Sequence, residues 1–207
     1  MSGDTVTVLL PDDWAVIDLE DDDARTTAVD SLVTQQLGGS PDLASLQVAL
    51  RGELLRRSEQ AARAGGTLMA LAVGSGGLPT VPASLTVYRV PGSLDARGRA
   101  AMTRVLASDE PGHSLDIGEG PAGTVLRRVR PGAARSGPTG DGELPALVAD
   151  YWVEPAPGAQ LLYLVFSSPL VDHRDELVSL FDTVVSSVRV LAPSPSRTTG
   201  TTTQEDM

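Results

Sequence analysis

The stretch LLYLVFSSPLVDHRDELVSLFDTVVSSVRVL, Leu161 to Leu191, decides how the rest of the chain is read. Its opening residues, Leu161 to Ser167, are almost all apolar or aromatic, the composition of a strand covered on both faces and therefore central in its sheet. Ser168-Pro169 breaks that strand, and the period then changes to about 3.6 residues. Leu177, Leu180, Phe181, Val184, Val185 and Val188 fall on one stripe, with Arg174, Asp175, Ser179 and Asp182 opposite. Such a helix packs its stripe on the sheet. Asp172 is placed to cap the first turn, and Asp175 and Glu176 complement the positive end of the helix dipole.

Outward from this run, the remaining segments supply strands and helices to surround it. Thr5 to Leu10 alternates, Pro11-Asp12-Asp13 turns the chain, and Trp14 to Leu19 reads as a second strand with Trp14, Val16 and Asp18 on one face. The acidic run Glu20 to Asp23 precedes a helix carrying Ala28, Val29, Leu32, Val33 and Leu37, which Gly38-Gly39 ends. Ser40-Pro41-Asp42 starts another, running to about Ala64 with Leu43, Leu46, Leu50, Leu54 and Ala61 on one side. Thr67 to Val73 and Ala83 to Val90 read as neighbouring antiparallel strands. Ser93 caps a helix over Leu94 to Ala107. His113 to Ile117 and Gly123 to Val129 form strands about a turn at Gly118 to Gly120, and Pro131 to Glu143 reads as a mobile loop. Leu144 to Val153 returns to strand. Residues 1–191 thus make one globular domain, and residues 192–207, rich in Ser, Thr and Pro, lack the apolar surface to order themselves and form a tail.

Composition removes several function classes. A net charge of -11 repels phosphate backbones and excludes nucleic acid as a partner. All sixteen basic residues are Arg, so Lys-dependent Schiff-base and P-loop chemistry are absent. There is no Cys, hence no disulfide, thiolate nucleophile or zinc-thiolate site. The opening MSGDTVTVLLPDD lacks the basic and apolar regions of a signal peptide, and no stretch has the length and apolarity of a membrane span. The expected setting is a soluble protein of the cytoplasm without membrane insertion.

The segment VTVLLPDDW at Val6 to Trp14, together with YLVFSSP and LFDTVVSSVRV between Tyr163 and Val190, resembles the PsbP-like family, which includes the Ran-binding Mog protein. The resemblance lies in the order of elements from about residue 5 to residue 191. It implies an α+β fold, a three-layer α/β/α sandwich around a central, mostly antiparallel sheet. It also implies a non-catalytic role, because members named in that family bind a photosystem, a small GTPase or the hydrophobic segments of secreted effectors. The long paired helices between Asp22 and Ala64 exceed the minimal pattern of that fold.

Catalytic constellations are missing from the residues themselves. His113 follows Pro111-Gly112 in a turn, His173 stands among Asp172, Arg174 and Asp175 at a helix start, and neither a Gly-x-Ser-x-Gly elbow nor a His-Glu-x-x-His pair occurs. No catalytic, cofactor or metal residues are assigned. The notable feature of so acidic a chain is the basic group Arg127, Arg128, Arg130 and Arg135. Arg128 and Arg130 share one face of their strand and Arg127 takes the other, which suits an edge strand or one with a face in water. Two readings stand: the charges guard a sheet edge, or they meet an acidic protein partner through bidentate contacts, with Tyr151 and Trp152 as aromatic anchors. The sequence therefore describes a protein-binding adaptor or chaperone-like module, one that could serve a secretion or other multi-protein system. The alternative is a small-molecule binder or enzyme with a cavity between the sheet and the paired helices.

Overall fold

The computed structural model describes residues 5–38, 41–74, 81–135, 142–155 and 160–191. The elements follow the chain as β1 (Thr5–Thr7), β2 (Trp14–Asp18), α1 (Asp22–Leu37), α2 (Ala44–Arg63), β3 (Gly66–Ala72), β4 (Ser84–Val90), α3 (Ala96–Leu106), β5 (Ser114–Gly120), β6 (Gly123–Arg135), β7 (Glu143–Glu154), β8 (Leu161–Ser168), α4 (Arg174–Ser186) and β9 (Arg189–Leu191). Seven strands form an antiparallel sheet in the order β2-β3-β4-β8-β7-β6-β5. The apolar run at Leu161 is its middle strand, as its composition predicts. It lies between two meanders that are each consecutive in sequence, β2-β3-β4 and β5-β6-β7. β1 and β9 pair with each other apart from this sheet, so the closing strand of the Leu161–Leu191 run clasps the opening one instead of joining its neighbours.

Residues in register across antiparallel strands share a face, which assigns every side chain to one of two surfaces. On the first, α4 lays Leu177, Phe181, Val184 and Val185 against Ala70, Leu85, Val87, Tyr151, Leu164 and Phe166. Phe181 is fully buried at the centre of this layer. On the second, α1 and α2 cover β2 and β3, with Val29, Leu32, Val33, Leu54 and Ala61 meeting Ile17, Leu19 and Met69. Ile17 of β2 faces this layer, while on its other face Trp14 is buried in the first core and Val16 is 49% exposed. α3 caps a small separate core of Leu94, Leu126 and Leu161, also on the second face. Among the described residues no helix is long and apolar enough to cross a membrane.

Several local signals resolve differently from the expectation. Asp172 falls within a 3-10 turn, Val171–His173, and α4 begins without a side-chain cap. Asp95, not Ser93, caps α3 by accepting from the Gly98 amide at 2.7 Å. The Ser93 hydroxyl instead donates to Glu154, whose other oxygen takes the Leu94 amide, so the connection into α3 is anchored on β7. Gly118 and Gly120 lie within β5, and the hairpin turns at Pro121-Ala122. Pro131 to Arg135 continues β6, paired with Glu143 to Leu147, where a loop was expected. The middle of the loop expected over Pro131 to Glu143, the Ser40 start of the second helix and the tail after Leu191 lie outside the described residues.

Candidate functional site

β6 is not an edge strand. β5 covers it on the outside and β7 on the inside, which removes the reading that its arginines guard a sheet edge. Alternation along the strand holds, however, and it splits the five residues expected to contact a partner into two groups. Arg127 and Tyr151 face α4, whereas Arg128, Arg130 and Trp152 face the opposite surface. They do not form one patch, and all three arginines already hold carboxylates of the same chain.

The first group lies in the α4 layer. The Arg127 guanidinium spans Asp116 of β5 at 2.9 Å and Asp182 of α4 at 2.5 Å, and the Tyr151 hydroxyl donates to the second oxygen of Asp182 at 2.9 Å. Burial works against the charge of Arg127, but Asp116 and Asp182 outweigh it and hold the guanidinium above its ordinary pKa. Burial, then the Asp182 charge, pushes the Tyr151 phenol well above its ordinary range. Tyr151 is 1% exposed, so it is a core residue with a satisfied hydroxyl and not a surface anchor. The Arg127 Nε donor is buried without an acceptor. Beside this group lies a cleft of about 360 Å³ between α4 and β5-β6, lined by Gly118, Gly120, Val125 and Val185, with Asp116, Glu119, Arg127 and Asp182 as its charged residues. The cleft exists because β5 presents glycine toward α4: a Cβ built on Gly118 or Gly120 would meet nothing within 4 Å.

The second group is organised by a residue that the sequence analysis passed over. Asp150 is completely buried in the middle of β7 and accepts from Arg128 (2.6 and 2.9 Å), Arg130 (3.1 Å) and the Tyr163 hydroxyl (2.8 Å). A carboxylate within the apolar run LVADYWV was the signal, since an ionised side chain is buried only where partners compensate it. Along the same face the rings of Tyr88, Tyr163 and Trp152 stack across β4, β8 and β7, with centroids 5.7 and 4.9 Å apart. Arg128 lies over the Trp152 ring at 5.6 Å, within cation-π range. Burial, and then the Asp150 charge, raises the Tyr163 pKa, so this phenol stays a donor. Tyr88, Thr86, Tyr163, Val165, Arg128 and Arg130 are all only half-buried, between the part of the sheet under α1 and α2 and the part under α3.

The two histidines join neither group. His113 sits 3.4 Å from Glu110, with its Nδ1 buried and unpartnered, and His173 is exposed at the start of α4. Neither lines the cleft. Among the described residues no three His, Asp or Glu side chains are placed to hold a metal ion.

No family model matches the chain, and no curated protein matches it in sequence. Among solved structures it is similar to the crystal structure of LpqN, which is involved in cell envelope biogenesis of Mycobacterium tuberculosis. The identity is 13%, the TM-score is 0.37, and the alignment covers 92% of this chain and 85% of that one. A likeness of that extent assigns no function.

Proposed function

We propose that this protein is a non-catalytic binding module of the cytoplasm, an adaptor or chaperone-like protein of the PsbP-like, three-layer kind, that holds a protein partner on the half-buried strip between α3 and the α1-α2 pair. The observation that carries the reading is the ladder of Tyr88, Tyr163 and Trp152 beneath Arg128. Stacked aromatics and arginine are the residue types that concentrate binding energy at interfaces, and here they lie side by side on a sheet surface. Two guanidinium groups share the single carboxylate of Asp150, which leaves a surplus positive charge beside the rings. An acidic segment of a partner would be steered toward it, against a chain whose net charge is -11. The assignment to the PsbP-like class is supported by the order of elements, by the central position of β8, and by α4 lying on the opposite sheet face from α1 and α2.

A photo-crosslinking residue placed at Val165 tests this in the native host, with the same residue at Val16 on the other face as comparison. Capture of a discrete protein at position 165 but not at position 16, reduced by Trp152→Ala and by added salt, is the expected result. Equal capture at both positions, or capture indifferent to Trp152→Ala, removes the assignment of this face. Replacing His113 and His173 together with Gln should leave cellular function intact; its loss with the fold preserved would point to chemistry instead.

A further inference from the structure

The cleft on the α4 side is independent of the proposed docking face, from which the sheet separates it, and its composition selects a ligand class of its own. About 360 Å³ is within the range of clefts that take small molecules, roughly 300–1,000 Å³. Its walls are apolar at Val125 and Val185, and its floor is bare strand at Gly118 and Gly120, open because no side chain occupies the space. Two carboxylates, Asp116 and Asp182, face it against the guanidinium of Arg127, while Glu119 borders it only through the β5 backbone, its side chain turned to the other sheet face against Thr124. Asp116 and Asp182 together hold Arg127, so that group carries one surplus negative charge. Low-dielectric walls concentrate the field of such a surplus, and the acidic character of the whole chain reinforces it. An anionic ligand meets a net negative field. A neutral apolar ligand would fill the slot but leave the charge surplus unanswered.

We propose that this cleft is a binding site for a small organic monocation, an amine carrying an apolar or aromatic body, whose body lies over the Gly118 strand against Val125 and Val185 and whose ammonium group faces Asp116. The site requires no rearrangement of the Arg127-Asp182-Tyr151 group, which forms its inner wall and stays paired. Glycine at position 118 is the determinant of occupancy. Its backbone is not in the left-handed region and its Cβ would be unobstructed, so a larger residue there fills the cleft without disturbing the hairpin.

The test is an amide-resolved NMR titration of the full chain with phenethylamine, and with 3-phenylpropionate as a ligand of like body and opposite charge. The amine is expected to shift the Gly118, Gly120 and Val125 amides saturably, and the carboxylate is not. Gly118→Leu should abolish the saturable shifts while leaving the spectrum of β2, β3 and α1 unchanged. Asp116→Asn should weaken binding by about 2- to 5-fold, the scale of one exposed charge pair. The assignment is overturned if the amine produces no saturable shift up to its solubility limit, if 3-phenylpropionate binds as well as the amine, or if Gly118→Leu binds like the parent. None of these outcomes bears on crosslinking at Val165, so the two proposals fail separately.

Discussion

The ring of Phe181 lies nearly parallel to that of Phe166, centroids 4.5 Å apart at 18°, so the last helix is pinned to the central strand through one stacked pair. Both rings are fully buried, and Tyr151 meets Phe166 edge-on to complete the group. Phe181→Ala should cost about 3 to 5 kcal/mol, the transfer loss plus a cavity that the hydrogen-bonded sheet below has little freedom to close. Phe181→Leu should cost much less. Urea denaturation measures both, and an unchanged midpoint for the alanine variant would refute this placement.

Asp150 and Asp30 each hold arginine, but in opposite environments. Asp150→Ala strands two guanidinium groups and a half-buried phenol around a fully buried position, and should cost about 3 to 5 kcal/mol. Asp150→Asn keeps an acceptor and should fall between that variant and the parent. Asp30 pairs with Arg51 between α1 and α2 with both side chains about half exposed, and Asp30→Ala should shift the unfolding midpoint little more than experimental error. A comparable loss from both alanine variants would contradict the burial of Asp150.

Burial raises the pKa of each of the chain's three tyrosines above the ordinary 10.0, and nearby Asp182 and Asp150 raise Tyr151 and Tyr163 further. A raised folded-state value means that the native protein holds these protons more tightly than the unfolded chain. The corresponding stability is complete below pH 10.0 and is lost as pH climbs past it toward the folded-state values. Spectrophotometric titration should therefore show no tyrosinate step at pH 10.0 while the fold persists, then a joint step as the protein unfolds. A simple ionisation of all three at their ordinary value, with circular dichroism unchanged, would disprove it.

Gly123 begins β6 at φ +99°, and a Cβ there would run into the Glu154 carbonyl. Gly123→Ala should destabilise by about 3 kcal/mol or more, adding a backbone penalty to a clash with main chain. Gly118→Ala, five residues away with ordinary backbone and open space, should be close to neutral in the same thermal melt. Equal effects would mean that the hairpin turns elsewhere.

Much of the fold was legible because period and position agreed. The apolar run at Leu161 is the central strand, the stripe through Leu177, Phe181 and Val184 is the buried face of α4, and the Thr67 and Ala83 strands pair as neighbours. The misreadings share a cause, since local chemistry was weighed where a distant partner decides. Gly118 and Gly120 resemble a turn until β6 pairs with them, and Pro131 to Arg135 resembles a loop until Glu143 to Leu147 lies alongside. At the candidate site, alternation put Arg127 on one face and Arg128 and Arg130 on the other, and the strand read at His113 to Ile117 about the same turn was already the neighbour that closes the outside of β6. Asp150 could have been found from its apolar surroundings, whereas Asp182 and Asp116 come from 55 and 11 residues away to meet Arg127.

The insertion of β8 between β4 and β7 also bears on the order in which a growing chain can fold. Each three-stranded meander is contiguous and can form while synthesis continues, yet until residues 161–168 arrive both would present a bare inner rim, β4 on one and β7 on the other. Joining them demands β4–β8 contacts between residues as far apart as Ser84 and Ser167, the kind of non-local pairing that folds in milliseconds to seconds rather than microseconds. In pulse-labelled refolding, the amides of β8 and the facing amides of β4 and β7 should gain protection together and last, after those between β2 and β3 and between β5 and β6. A nascent chain halted before Leu161 would then be two half-sheets with adhesive borders, the form in which this protein most needs a chaperone's shelter.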